Sequence, residues 1–173
     1  EEVGAGTQPA VETYTFLTPN SSPNHIRLYN GSGLWSNGDE VMLISPEFSD
    51  LTVGDKRVQF FAYTTTTLPT TLIVGTTDKA DTSGTFNPID TVTLNSGNHS
   101  LHIVDVDLAS GYNGTDTYIA LAHGMDAAFR TILIDDFTYT IVPSCNPPLI
   151  TTLGVGGTGT TSASVFWGAN SDG

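Results

Sequence analysis

Arg130-Thr131-Ile132-Leu133-Ile134-Asp135-Asp136-Phe137-Thr138-Tyr139-Thr140-Ile141-Val142 reads as a β-strand with two adjacent carboxylates in its middle. Branched and aromatic residues dominate the run and suit a pleated, half-buried surface. Successive strand residues point to opposite faces, so Asp135 and Asp136 are not both expected to face solvent, and at least one should reach a core or a strand-end pocket. An ionised carboxylate withdrawn from water needs hydrogen bonds, a cation or a metal. The cationic residues of the chain are only Arg27, Lys56, Arg57, Lys79 and Arg130. That scarcity leaves two solutions open. In one, a calcium ion lies among Asp135, Asp136 and Asp39 or Glu40, with backbone carbonyls completing the shell; oxygen-only ligands beside loops suit this ion. In the other, a neighbouring loop donates hydrogen bonds to one Asp while the second lies at the strand end in water.

Working outward, the hydrophobic period is two nearly everywhere, and no segment keeps a helical i, i+3, i+4, i+7 pattern over three turns. The expected strands are 25–29, 40–45, 57–64, 71–77, 89–94, 99–107, 116–122 and 130–142, separated by turn clusters such as Asn30-Gly31-Ser32-Gly33 and Asn113-Gly114. Short strands punctuated in this way indicate an all-β sandwich or barrel. The stretch 94–99, Leu-Asn-Ser-Gly-Asn-His, is read as a hairpin tip, and the threonines at 64–67 as a strand end opening into a loop. The first twenty-odd residues carry Pro9, Pro19 and Pro23 and are expected to form loop with at most one edge strand.

Pro143-Ser144-Cys145-Asn146-Pro147-Pro148 holds three prolines in six residues, which a sheet ladder does not accommodate, so 143–148 is read as a junction after a domain at 1–142. Beyond it, 149–153 and 162–167 are expected strands with 154–159 between them. Two strands do not make a core alone. Residues 149–173 are therefore read as a truncated second β-sandwich module, and the chain as a piece of a longer polypeptide.

The net charge is -13, with charged residues at only 13%, so acidity comes from missing Lys and Arg. Nucleic acid and anionic membrane surfaces call for a basic face and are poor partners. No apolar run approaches the roughly 20 residues of a transmembrane helix. No signal peptide is visible at Glu1-Glu2, and Cys145 stands alone without an internal disulfide partner.

Catalytic motifs are missing: there is no Gly-x-Ser-x-Gly elbow, phosphate loop, His-Glu-x-x-His or Cys-x-x-Cys, and the reading is of a non-enzyme. His25, His99, His102 and His123 lack zinc spacing and are read as surface or hairpin residues. Asp105 with Asp107, or Asp39 with Asp135, are the carboxylate pairs that glycoside hydrolysis would require. Exposed rings are the signal for sugar binding. Trp35, in the Gly/Ser/Asn-rich loop with Asn37 and close behind Tyr29, is the candidate platform. Tyr112 either serves likewise or folds back to plug the sandwich.

In order and spacing, 40–48 (Glu-Val-Met-Leu-Ile-Ser-Pro-Glu-Phe), 58–63 (Val-Gln-Phe-Phe-Ala-Tyr), 72–76 (Leu-Ile-Val-Gly-Thr), Val106-Asp107-Leu108 with Tyr112, 118–121 (Tyr-Ile-Ala-Leu) and 132–137 (Ile-Leu-Ile-Asp-Asp-Phe) resemble a MAM-type jelly roll. This class includes the choice-of-anchor and cleaved-adhesin modules of secreted bacterial proteins. The family's opening acidic strand and aromatic Gly-Trp segment are not found here, which removes one acidic ligand that the resemblance would supply. The stretch from Cys145 through Trp167 resembles the first strands of a fibronectin type III domain, with Trp167 in its core. The resemblance implies a secreted or cell-surface bacterial β-sandwich, commonly with a structural cation, that contacts protein or glycan. The function expected is non-catalytic binding or adhesion alongside neighbouring domains of the same polypeptide. The alternatives are a carbohydrate-binding module appended to a polysaccharide-degrading enzyme, or a spacer.

Overall fold

The computed structural model describes residues 10–31, 41–81, 83–143, 153–158 and 163–167. The chain divides into two compact units, Glu1–Val142 and Pro143–Gly173. Among the described residues of the first, nine strands form two antiparallel sheets: β1 (Ala10–Tyr14), β2 (His25–Tyr29), β3 (Met42–Ile44), β4 (Asp55–Thr64), β5 (Thr70–Thr77), β6 (Phe86–Leu94), β7 (Ser100–Asp107), β8 (Tyr118–His123) and β9 (Thr131–Ile141). One sheet has the order β1-β2-β9-β4-β7 and the other β3-β8-β5-β6. Only β1–β2 and β5–β6 join neighbours within one sheet; every other connection crosses between sheets, which is jelly-roll connectivity.

Alternation along β4 builds the core. Val58, Phe60 and Ala62 are fully buried on the inner face, while Arg57, Gln59 and Phe61 point outward. They meet Leu72, Val74, Leu94, Val104, Val106, Ile119, Leu121, Ile132 and Ile134 from both sheets. The Lys56 side chain is also covered, with its Nζ 3.1 Å from Asp50 and 2.9 Å from Asp55, two exposed carboxylates that pair its charge at the surface. Tyr112 folds back into the core and donates its hydroxyl hydrogen to the Asp116 carbonyl at 2.6 Å.

Several sequence expectations are corrected here. Residues 94–99 are not a hairpin tip: β6 and β7 are edge strands of different sheets, and the Asn95 carbonyl accepts from the Thr64 amide at 3.3 Å. A turn signal marks where the chain bends, not which strand it meets next. The threonine run is, as expected, a strand end opening into a loop, bound by its own hydroxyls: Thr64 Oγ1 lies 2.9 Å from that of Thr66 and 3.2 Å from that of Thr70. In the second unit, β10 (Leu153–Thr158) and β11 (Ala163–Trp167) pair antiparallel, so the glycines at 154 and 156 lie within a strand instead of a connection. Residues 149–152 lie outside the described residues.

His25 and His123 are buried at 2% and 3% exposure, against the expectation of surface histidines. His123 Nδ1 accepts from the Met125 amide at 3.0 Å, which fixes a neutral ring. Burial pushes its pKa down to about 4, and the Arg130 charge adds to this, against the Arg130 backbone and Asp126.

Replacing Phe60 with Ala should cost about 3–5 kcal/mol through lost contacts and a cavity, read by denaturant unfolding. His123 gives a pH signature. Its pKa in the fold lies below the ordinary 6.5, so its contribution is complete above pH 6.5 and is lost as pH falls from there toward 4. That drop amounts to about 3 kcal/mol, and it should be missing from the pH–stability curve of His123→Gln.

Candidate ligand face on the five-stranded sheet

The outer face of the five-stranded sheet carries a row of rings. Tyr14 stacks on His25 at 5.7 Å and 10°, His25 lies 5.7 Å from His99, and His99 meets the edge of Tyr63 at 4.4 Å. The Arg27 guanidinium lies between two tyrosines, 4.7 Å from the Tyr14 ring and 5.1 Å from Tyr29, and pairs with Glu12. Tyr29 is thus half-buried at one end of the row, partly covered by Arg27.

A ten-residue connection, 15–24, links Tyr14 to its registered partner His25 and lies over this face like a strap. Leu133, on the outer side of β9, is 0% exposed. Asp135 and Asp136 hold the strap. The Ser21 amide donates to Asp135 Oδ2 at 2.8 Å, the Asn20 side-chain amide to Asp136 Oδ2 at 2.7 Å, and the Ser21 hydroxyl to Asp136 Oδ1. The Asp136 amide donates to Asp135 Oδ1 at 2.8 Å. Hydrogen bonds from Ser21 and then Asn20 keep the Asp136 carboxyl below its ordinary pKa.

The opposite-facing rule fails for this pair for a physical reason. Gln59 pairs with Thr138 and Phe61 with Asp135, so Phe60 alone opposes both Asp136 and Phe137. Asp136 adopts φ 50°, the left-handed conformation that Asp tolerates better than most residues, and the resulting β-bulge frees it from strict alternation. Both carboxylates therefore reach the same strap.

Beside the latch, an open groove of about 430 Å³ runs between residues 17–20 of the strap and 97–99 before β7, with Tyr63 at its base. Tyr63 is 8% exposed, and its hydroxyl has no hydrogen-bond partner among the described residues. His99 is half-buried and Asn20 and Asn98 are exposed. Burial lowers the pKa of His25, against the pull of Asp135. Burial and then His25 lower that of His99, against Asp135 and Asp136. Both rings are thereby favoured as neutral groups, suited to hydrogen bonding more than to charge. Farther along the same face, Leu101 and Ile103 are each 49% exposed beside Phe61.

Of the residues expected from sequence to form the site, Trp35, Asn37, Asp39 and Glu40 lie outside the described residues. Among the described residues, no three His, Cys, Asp or Glu are grouped to hold a metal ion. The groups facing Asp135 and Asp136 are the amide and hydroxyl of Ser21 and the side-chain amide of Asn20, which donate to the carboxylate oxygens. Of the hydrolase pairs, Asp105 is held bidentately by Arg57 at 2.5 and 3.1 Å and Asp107 accepts from the Ser110 amide at 2.7 Å, while Asp39 lies outside the described residues. Sequence reasoning missed Tyr63, His99, Asn20 and Asn98, because only the fold brings these separate segments together.

No family model matches the sequence, and no curated protein matches it. Solved structures do. The K1 cleaved adhesin domain of Lys-gingipain from Porphyromonas gingivalis W83 superposes with a TM-score of 0.57 at 16% identity, covering 83% of this chain and 90% of that one. The CBM22-2 xylan-binding domain of Paenibacillus barcinonensis Xyn10C gives 0.53 at 13% identity, covering 82% and 91%. The CBM22-1–GH10 modules of Clostridium thermocellum Xyn10B, complexed with xylohexaose, give 0.50 at 15%, covering 80% of this chain and 25% of that chain. The fold is shared by adhesin and carbohydrate-binding domains. At these identities the likeness is one of fold.

Proposed function

We propose that this sandwich is a non-catalytic carbohydrate-binding module of a secreted or cell-surface multi-domain bacterial protein, taking its ligand in the groove over Tyr63. The observation that carries this reading is an open groove lined by Tyr63, whose hydroxyl has no hydrogen-bond partner among the described residues, together with Thr18, Asn20, Asn98 and His99. Neutral amides and hydroxyls supply the paired donors and acceptors that sugar hydroxyls require, and rings present apolar faces to the sugar. The carbohydrate-binding domains of like fold support it. An acidic chain of this kind suits neutral polysaccharide better than polyanions.

A second reading, protein-mediated adhesion, rests on the exposed Leu101 and Ile103 beside Phe61, an apolar patch on the same face. The cleaved adhesin domains of like fold support this one.

Affinity electrophoresis through a panel of neutral polysaccharides separates the two. Tyr63→Phe keeps the ring and should leave the melting temperature unchanged, yet weaken retention by about 2- to 12-fold, the worth of one hydrogen bond. Wild type running freely through every gel would overturn the carbohydrate reading. In that case, loss of cell or protein attachment in Leu101→Asp would favour adhesion.

A further inference from the structure

The long connection between β1 and β2 joins residues that are already registered neighbours, Tyr14 and His25, so strand pairing alone does not require ten residues there. Hairpin loops commonly need two to five. The extra length supplies a wall of the groove, and what holds that wall is visible: two carboxylates from a single bulge, each accepting from the strap. The bulge conformation at Asp136 puts both acids on the strap side of β9, the face that also carries His25, at 2% exposure, and the fully buried Leu133. With the strap lifted, the groove would lose the wall carrying Thr18 and Asn20.

We infer that Asp135 and Asp136 are positioning residues which latch residues 15–24 shut as one wall of the ligand groove, and that the strap occupies their oxygens in place of calcium. The latch deepens the carbohydrate reading, since the wall belongs to the groove proposed as the ligand site. The strap itself is observable without any ligand. Ligand and strap are then thermodynamically linked: a sugar that binds only the closed groove must lower the population of the open strap by the factor by which it favours closure.

Hydrogen exchange on the full chain tests the latch directly. In Asp136→Asn, which tolerates the same backbone conformation, and in Asp135→Asn, amides of the strap should exchange at least tenfold faster while those of β4 and β9 keep their protection. Ser21→Ala leaves both acids in place and removes one donor; it should give a smaller acceleration in the same amides, whereas calcium ligation by the acids predicts none. Calcium and chelator should each leave strap exchange and melting temperature unmoved. Unchanged strap exchange in both Asp variants would overturn the latch, as would a calcium-dependent melting shift that vanishes in Asp136→Asn. A polysaccharide retained by wild type should slow strap exchange and lose affinity in Asp136→Asn; retention with no such slowing would also overturn the coupling. If no polysaccharide is retained, the carbohydrate reading fails alone, and the latch stands or falls on the exchange rates.

Discussion

The single residue inserted into β9 opposite Phe60 is the constraint on which the rest depends. Before it, Ile132 and Ile134 face the core; after it, Phe137 and Tyr139 do, with Tyr139 stacked on Phe48 at 4.0 Å and 9°. Without the bulge the second half of the strand would turn over, exposing Phe137 and Tyr139 and burying Asp136 and Thr138. One left-handed residue therefore does two things. It keeps both halves of a long strand apolar toward the interior, and it delivers two adjacent acids to the outer surface.

Hydrogen bonds from the strap ease the electrostatic problem posed by those acids. Described cations are largely engaged elsewhere: Arg27 with Glu12 and two rings, Lys56 with Asp50 and Asp55, Arg57 with Asp105. Neutral donors from a nearby loop can stabilise a carboxylate as effectively, since several hydrogen bonds to the charged form lower its pKa. Asn20 and Ser21 supply such donors. A shortage of Lys and Arg, read alone, had suggested calcium; the alternative of a donating loop was equally open, and the strap provides it to both acids instead of one.

Much of the fold was legible because it is local. Alternation placed β2 at its observed ends and located most other strands within a few residues, since burial on one face writes a period of two into the chain. The bulge was not legible: Ile132-Leu133-Ile134 is an unbroken apolar run with no phase to compare with that of Phe137 and Tyr139, so simple alternation misreads Asp135 and Asp136. What local pattern does not encode is pairing. The turn at 94–99 resembles a hairpin by composition, yet it joins two sheets, and His25 is packed between Tyr14 and His99 by pairing that its own strand's pattern does not encode. The groove is of this second kind. Its base, its two walls and its latch come from β4, the β1–β2 strap, the turn before β7 and β9.

Such a site carries a physical consequence. Ordering each strap residue costs about 1–2 kcal/mol of backbone entropy, so ten residues are held against a large opposing term. The described anchors are few: the hydrogen bonds to two acids. The β4–β9 pairing below runs the length of the sandwich and carries the fully buried Phe60 and Ile134. The strap is thus bound far less firmly than the sheet beneath it, and local opening should reach it well before the core. A groove with one firm side and one lightly held side can admit a long polymer from above and close on it, which a rigid slot of the same width could do only from an end.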